Sequence, residues 1–327
     1  MERSAGVRVA IAYPSDPAGT IPGGIETFIR GIINWAPAGF SFDVIGVTTD
    51  PAARPVGQWT TVNLGRGSYR SLPLFAIGEP GKQSRFPASL NHLLRLIPKR
   101  GWLRRDYDVI DMHRIEPAAL FSGRDIALNA FFHQNMDVLR DAGADIRWRH
   151  LPGLYFWIEG LLMKRLSSVY AVREDAVAAF RERYASMADK FRFTPTWYDP
   201  DRFAPVSIEE KQRLRQERLA PLGVDSDDVV ITSLGRLDKQ KDPLLLLEAF
   251  ARVRKTRSNA RLLMIGDGVL RSAIEERIGA LDLRQAVILA GLVNPADVAD
   301  YLRASDLFAL SSAYEGMPSA SSTHIGI

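Results

Sequence analysis

Two cations stand where a strand gives way to a helix. Residues 229–242 read VVITSLGRLDKQKD. Val229, Val230, Ile231 and Leu234 form the apolar run of a strand buried on both faces, and the chain turns at Gly235. Arg236 and Lys241 lie in the loop that follows. Asp242 and Pro243 then open the helical stretch LLLLEAFARVRK, Asp being a favoured N-cap and Pro suited to the first helical position. Backbone N–H groups at a helix start, joined by two cations, make a cradle for a diphosphate. The competing reading is two solvated surface charges, the usual state of an isolated Arg or Lys.

Three more positions can bear on a ligand. Gly23-Gly24 falls between the strand VRVAIAY (7–13) and a helix with Ile25, Phe28, Ile29, Ile32 and Ile33 on one face. A backbone without Cβ there lets a phosphate or sugar approach closely, although a tight turn alone also explains the pair. The strands YDVIDM (107–112) and IALNAFF (126–132) run into His113 and His133. Ligand groups gather at the carboxyl ends of strands in open parallel sheets, while a lone strand-end histidine is more often structural.

The elements that must position these groups alternate along the chain. Further strands are predicted at 42–48, 169–172, 261–265, 287–289 and 306–310, with helices between them. A Pro- and Asp-rich stretch near 195–206 reads as an inter-domain linker. The predicted fold is α/β, two doubly wound domains facing a cleft, over 1–200 and 201–327. Residues 71–105 are less regular: Lys82, Arg85, Arg95, Lys99, Arg100, Arg104 and Arg105 are interleaved with Phe86, Leu90, Leu93, Leu94, Leu96, Ile97, Trp102 and Leu103. This basic amphipathic segment suits either an anionic lipid surface or a helix with its apolar face on the core.

Composition narrows the classes. The chain has no cysteine, so disulfide frameworks and Cys-ligated metals are excluded. Its five histidines show no metal-ligand spacing, and no stretch approaches the ~18 uninterrupted apolar residues of a membrane span. The first 14 residues enter a strand at once and lack the apolar run of a secretory signal. A net charge of +4 is compatible with an anionic substrate or membrane surface and does not call for nucleic acid.

GRLDKQKDPLLLLEAF, MIGDG, VILAG, SDLFALSS and YEGMP, in this order, resemble the retaining glycosyltransferases of family 4, with the GT-B fold of two Rossmann-like domains. IPGGIE, YDVIDMH, FFHQ and the inter-domain stretch DPDRFAP agree more loosely. The resemblance implies transfer of a sugar from a nucleotide-sugar donor to a saccharide or lipid-linked acceptor, with retention, in surface or exopolysaccharide synthesis. The first domain would take the acceptor and the second the nucleotide sugar. Arg236 and Lys241 would hold the donor diphosphate and offset charge on the leaving nucleotide. Gly24 would face that diphosphate from the first domain, and the N–H groups of Gly316 and Met317 would approach the donor. His133 and Glu315 would contact the transferred sugar as the catalytic pair. Gly266 and the strand Val287, Ile288, Leu289 would line the nucleotide pocket. No cofactor and no metal is expected. The expected location is cytoplasmic, at the inner face of the cell membrane if residues 82–105 meet anionic lipid.

The family's second acid falls at Thr323, eight positions after Glu315, and the tail SASSTHIGI departs from the pattern. A truncated, incomplete second domain is therefore expected. Two alternatives stay open: a sugar-nucleotide epimerase on the same fold, which the YEGMP pattern disfavours, and a non-catalytic fragment that binds nucleotide or a partner only.

Overall fold

The computed structural model describes residues 6–19, 24–77, 87–121, 126–133, 152–197, 199–294 and 296–313. The chain divides into two compact units, Met1–Trp197 and Tyr198–Ile327.

The first unit is built on one sheet. Its elements are β1 (Val7–Ala12), α1 (Gly24–Trp35), β2 (Phe40–Thr48), β3 (Thr60–Asn63), β4 (Ser68–Ala76), α2 (Ala88–Leu96), α3 (Arg100–Asp106), β5 (Val109–Met112), β6 (Ala127–Phe132), α4 (Pro152–Met163), β7 (Ser168–Ala171), α5 (Glu174–Arg183) and β8 (Phe191–Phe193). The strand order is β3-β4-β2-β1-β5-β6-β7-β8, with every neighbour parallel except the β3–β4 hairpin. Strand side chains alternate between faces, so a sheet covered on both sides needs apolar residues on both faces of its strands. β1 shows this directly. Val9 and Ile11 pack with Ile29 and Ile33 of α1, while Ala10 and Ala12 face the opposite core with Ile45, Ile110 and Leu128.

Two readings of the sequence change here. Residues 71–76 belong to β4, paired with β2 from Phe42↔Tyr69 onward, and not to the basic amphipathic segment. Leu72, Leu74 and Phe75 are buried core. The basic segment is thus reduced to α2, a short 3₁₀ turn and α3, its residues 82–86 lying outside the described residues. Leu96 and Leu103 are fully buried, so its apolar face does rest on the core, yet Leu90, Leu94 and Ile97 remain exposed. Trp197, expected in the linker, is packed on α1: its indole N–H donates to Phe28 O at 3.1 Å. A Cβ on Gly31 would lie 1.4 Å from that ring, which is why α1 carries glycine mid-helix.

The second unit repeats the logic on a smaller scale. Helix α6 (Ile208–Leu214), capped by Ser207 Oγ accepting from Glu210 N, runs on as a π turn to Leu219. There follow β9 (Val229–Leu234), α7 (Pro243–Thr256), β10 (Ala260–Ile265), α8 (Arg271–Ala280), β11 (Val287–Gly291), α9 (Val298–Ala304) and β12 (Leu307–Phe308). The four described strands are all parallel, in the order β11-β10-β9-β12. On one face Leu262 and Met264 pack with Leu247, Phe250 and Ile274; on the other Val230, Leu263 and Ile265 pack with Leu214 and Leu219.

Candidate functional site

In the second unit the carboxyl ends of β9, β10 and β11 are locked together by backbone contacts. Gly235 N–H donates to Ile265 O, Leu237 N–H to Asp267 O, and Gly266 N–H to Gly291 O, at 3.0, 3.0 and 2.8 Å. The fit is closest at Gly266, whose φ is +138° and whose Cβ, were there one, would stand 1.9 Å from Gly235 O. Only glycine satisfies both conditions. Gly268 has the same relation to Leu237 O, at 2.5 Å.

This frame holds Arg236 and Lys241 at one shallow depression, lined also by Gly235, Pro243, Met264 and Leu310. One carboxylate organises both. Asp238 Oδ2 lies 2.9 Å from Arg236 Nη1, and its Oδ1 accepts the Lys241 backbone N–H at 3.1 Å. Arg236 also donates to Gln240 Oε1 at 3.2 Å. The Lys241 methylenes run past Gly235 at van der Waals distance from where its Cβ would be. Asp242 then sits in the left-handed region (φ 43°) and accepts the Leu245 N–H at 3.2 Å, capping α7 as its sequence predicts. Ser311 Oγ, beyond β12, lies 2.9 Å from Lys241 O and 2.8 Å from Asp242 O, and Ala313 N–H donates to Gln240 O. The loop is therefore tied down at both ends. Two cations on a fixed loop beside the amino terminus of a 14-residue helix can receive an anionic group with little reorganisation.

Of the expected nucleotide pocket, Gly266 stands at this rim. Val287 is buried, and Ile288 and Leu289 pack toward opposite cores. The end of β11 at Gly291 borders the rim, its carbonyl accepting the Gly266 N–H. Glu315, Gly316 and Met317 lie outside the described residues.

In the first unit the carboxyl ends of β1, β5 and β6 carry the polar groups. Gly24 is the exposed first residue of α1. His133 follows β6, and its Nε2 is 2.8 Å from Nδ1 of His113, which follows β5. Phe28 of α1 sets its ring edge-on against both histidines, and Phe131 stacks on His113. Burial lowers the His133 pKa to about 4 and holds that of His113 well below the usual range, so both imidazoles are neutral near pH 7. Tyr13, beside His113, is pushed up to about 12 by burial and then by Glu26, whose own carboxyl is raised by burial. Among the described residues no group of three or more His, Asp or Glu is placed to hold a metal, and no helix is long and apolar enough to cross a membrane.

The sequence had no signal for the part played by Asp238 or Ser311. His113 was visible as a strand-end histidine but without a role.

The family model "Glycosyl transferases group 1" matches residues 215–321, which hold the whole Arg236–Lys241 loop. The mannosylfructose-phosphate synthase of Agrobacterium fabrum is 33% identical over 142 residues, 41% of this chain and 30% of the synthase. The UDP-Gal:alpha-D-GlcNAc-diphosphoundecaprenol alpha-1,3-galactosyltransferase of Escherichia coli is 29% identical over 171 residues, 51% of this chain and 42% of that enzyme. The matched stretch thus spans less than half the length of these curated relatives. Among solved structures, the sucrose-phosphate synthase of Thermosynechococcus elongatus superposes with a TM-score of 0.74 at 18% identity, covering 97% of this chain and 78% of the synthase. That likeness establishes the two-unit GT-B fold. Residues 215–321 of the second unit are thus similar to the group 1 glycosyltransferases, as the motifs from GRLDKQKD onward had led one to expect.

Proposed function

We propose that this chain transfers a sugar, with retention, from a nucleotide-diphosphate sugar to a saccharide or lipid-linked acceptor. The single observation that carries the reading is the pinned loop with Arg236 and Lys241 at the carboxyl rim of the second sheet, inside the stretch that matches the family model. These two cations take the diphosphate and stabilise the charge that builds on the leaving nucleotide, which is electrostatic preorganisation without a metal. Gly266 lets the β10 loop lie against the β9 loop and so shapes the nucleotide side. Gly24, exposed at the start of α1, takes the diphosphate from the first domain in this reading, and His133 orients the transferred sugar. Glu315, Gly316 and Met317 complete the donor contacts in this reading. The name of the Escherichia coli relative gives a diphosphoundecaprenol acceptor, which favours a lipid-linked acceptor here. The exposed Leu90, Leu94 and Ile97 beside Lys99, Arg100, Arg104 and Arg105 suit contact with the anionic lipid carrying it.

Calorimetry with UDP, GDP and ADP, then turnover with the corresponding sugars, tests the reading. One nucleotide binds the wild type, and a folded Arg236→Ala/Lys241→Ala variant binds it about 10- to 100-fold more weakly, since a charge-assisted hydrogen bond contributes about 1.5–3 kcal/mol. Equal affinity in the two proteins would remove the diphosphate assignment. Binding without turnover of any donor would favour the non-catalytic alternative.

A further inference from the structure

β5 and β6 are parallel neighbours in the register Met112↔Ala130, and each ends in a histidine. The two rings are only 22° from parallel, with centroids 5.1 Å apart and nitrogens 2.8 Å apart. Those values describe two near-coplanar imidazoles joined end to end, with the N–H of one aimed along the lone pair of the other. His113 is 4% exposed, enclosed by Tyr13, Phe28 and Phe131. Its other nitrogen, Nε2, is buried and has no hydrogen-bond partner among the described residues.

That unpartnered nitrogen decides which ring donates. A neutral imidazole has one N–H and one bare nitrogen. If His133 donated from Nε2, His113 would accept at Nδ1 and carry its own proton on Nε2, burying an N–H with no acceptor. A buried orphan donor is the rarer and costlier arrangement. If His113 donates from Nδ1, the atom left unpartnered is a bare Nε2 facing aromatic rings. His133 then accepts at Nε2 and keeps its proton on Nδ1.

We propose that His113 is a positioning residue that fixes the tautomer of His133, so that His133 presents a neutral Nδ1–H donor at the carboxyl rim of the first sheet. The inference rests on the reading of that rim as a sugar site. It narrows what His133 does there. With Nε2 engaged, His133 is not free to act as a base through that atom. Its ligand contact is donation to an uncharged oxygen, a sugar hydroxyl or ring oxygen, in an orientation set from beneath. The wedge of Phe28 against both rings holds the pair in plane.

The test reads the proton directly in the full chain. Long-range ¹H–¹⁵N correlation on histidine-labelled protein at pH 7, assigned with His133→Phe, reports which nitrogen of His133 is protonated. The expected result is Nδ1–H on His133 with no ligand added. His113→Asn, whose side-chain N–H can take the place of Nδ1–H, keeps that pattern. His113→Phe, which fills the aromatic enclosure but cannot donate, moves the proton to Nε2. A wild-type His133 protonated at Nε2, or a His113→Phe spectrum unchanged at His133, overturns the inference. The wild-type spectrum alone decides if His113→Phe does not fold. Because no ligand is present, failure to bind any nucleotide sugar would sink the transferase reading and leave this result standing. If both hold, His113→Phe lowers kcat at least tenfold with donor KM little changed, and His113→Asn recovers most of it.

Discussion

Arg236 and Asp238 are paired at 2.9 Å across a single intervening residue, and the second oxygen of the same carboxylate holds the Lys241 backbone N–H. The Arg236 side chain is 69% exposed, so the pair adds little to stability, within about 1 kcal/mol. Its effect lies in holding two cations at one place before an anion arrives. Asp238→Ala is therefore expected to leave the melting temperature within a few degrees of wild type. The same change should weaken binding of the cognate nucleoside diphosphate about 3- to 10-fold, since about 1 kcal/mol of preorganisation is lost. Calorimetry beside a thermal melt checks this. An affinity that rises would mean that Asp238 competes with the phosphates for Arg236 and does not position it.

Asp242 combines a left-handed backbone with a helix cap, and substitutions separate the two. Asn accepts the Leu245 N–H and tolerates φ 43°, so Asp242→Asn should change stability by less than about 0.5 kcal/mol. Asp242→Gly relieves the backbone and loses the cap, for a small net loss. Asp242→Ala loses the cap and keeps the unfavourable φ, and should cost about 1–2 kcal/mol. Urea unfolding gives the order Asp and Asn together, then Gly, then Ala. An alanine variant as stable as wild type would show that the bond from the Leu245 N–H to the Asp242 carboxylate contributes nothing to stability.

The alternation of strands and helices was legible because parallel strands covered on both faces read as short runs dominated by apolar residues. Val229–Leu234 and Ala260–Ile265 are of this kind. β3 and β4 escaped notice for a physical reason. Pro73 interrupts the apolar run of β4, and the hairpin turn through Gly65 and Gly67 carries no apolar periodicity. The two strand-end histidines were visible, but their contact depends on the register of β5 against β6, which periodicity does not reveal. The tether from Ser311 to Lys241 spans 70 positions and was equally invisible. The motif located the loop; only the fold revealed what holds it.

Glycines 266 and 101 should respond oppositely to the same change. Gly266→Ala places a methyl group 1.9 Å from the Gly235 carbonyl at a φ of +138°, and backbone on both sides leaves nothing to yield. A loss of about 3 kcal/mol or more is expected, with loss of nucleotide binding as the β9 and β10 loops part. Gly101 lies in α3 with nothing within 4 Å of its Cβ position, so Gly101→Ala should stabilise by about 0.5–1 kcal/mol. Chemical denaturation of the two variants checks the pair of signs. A neutral Gly266→Ala would show that the interlock relaxes without consequence.

Acid sensitivity has an identifiable source in His92 of α2. The ring is 1% exposed and its Nε2–H donates to Ile45 O at 2.8 Å, a bond that favours the charged form and is outweighed by burial. Burial lowers its pKa from 6.5 to about 4. The unfolded chain takes up this proton near 6.5 and the folded chain only near 4, so the unfolded state binds more protons across that window. The contribution of His92 is therefore fully present above pH 6.5, falls as the pH drops, and is lost by about pH 4. A shift of that size corresponds to about 3 kcal/mol across the whole window. His133 has the same sign and window. Asp111, raised to about 6 by burial, has the opposite sign between 3.8 and 6, because there the folded state holds the extra proton. The wild-type profile alone thus mixes opposing terms, and a difference between two proteins isolates one of them. His92→Gln keeps an N–H for the Ile45 carbonyl and does not titrate. Urea unfolding at pH 7.5, 6 and 4.5 should find it less stable than wild type at the highest pH, with the gap narrowing by about 2 kcal/mol at the lowest. A gap that stays constant would mean that His92 takes no part in the acid response.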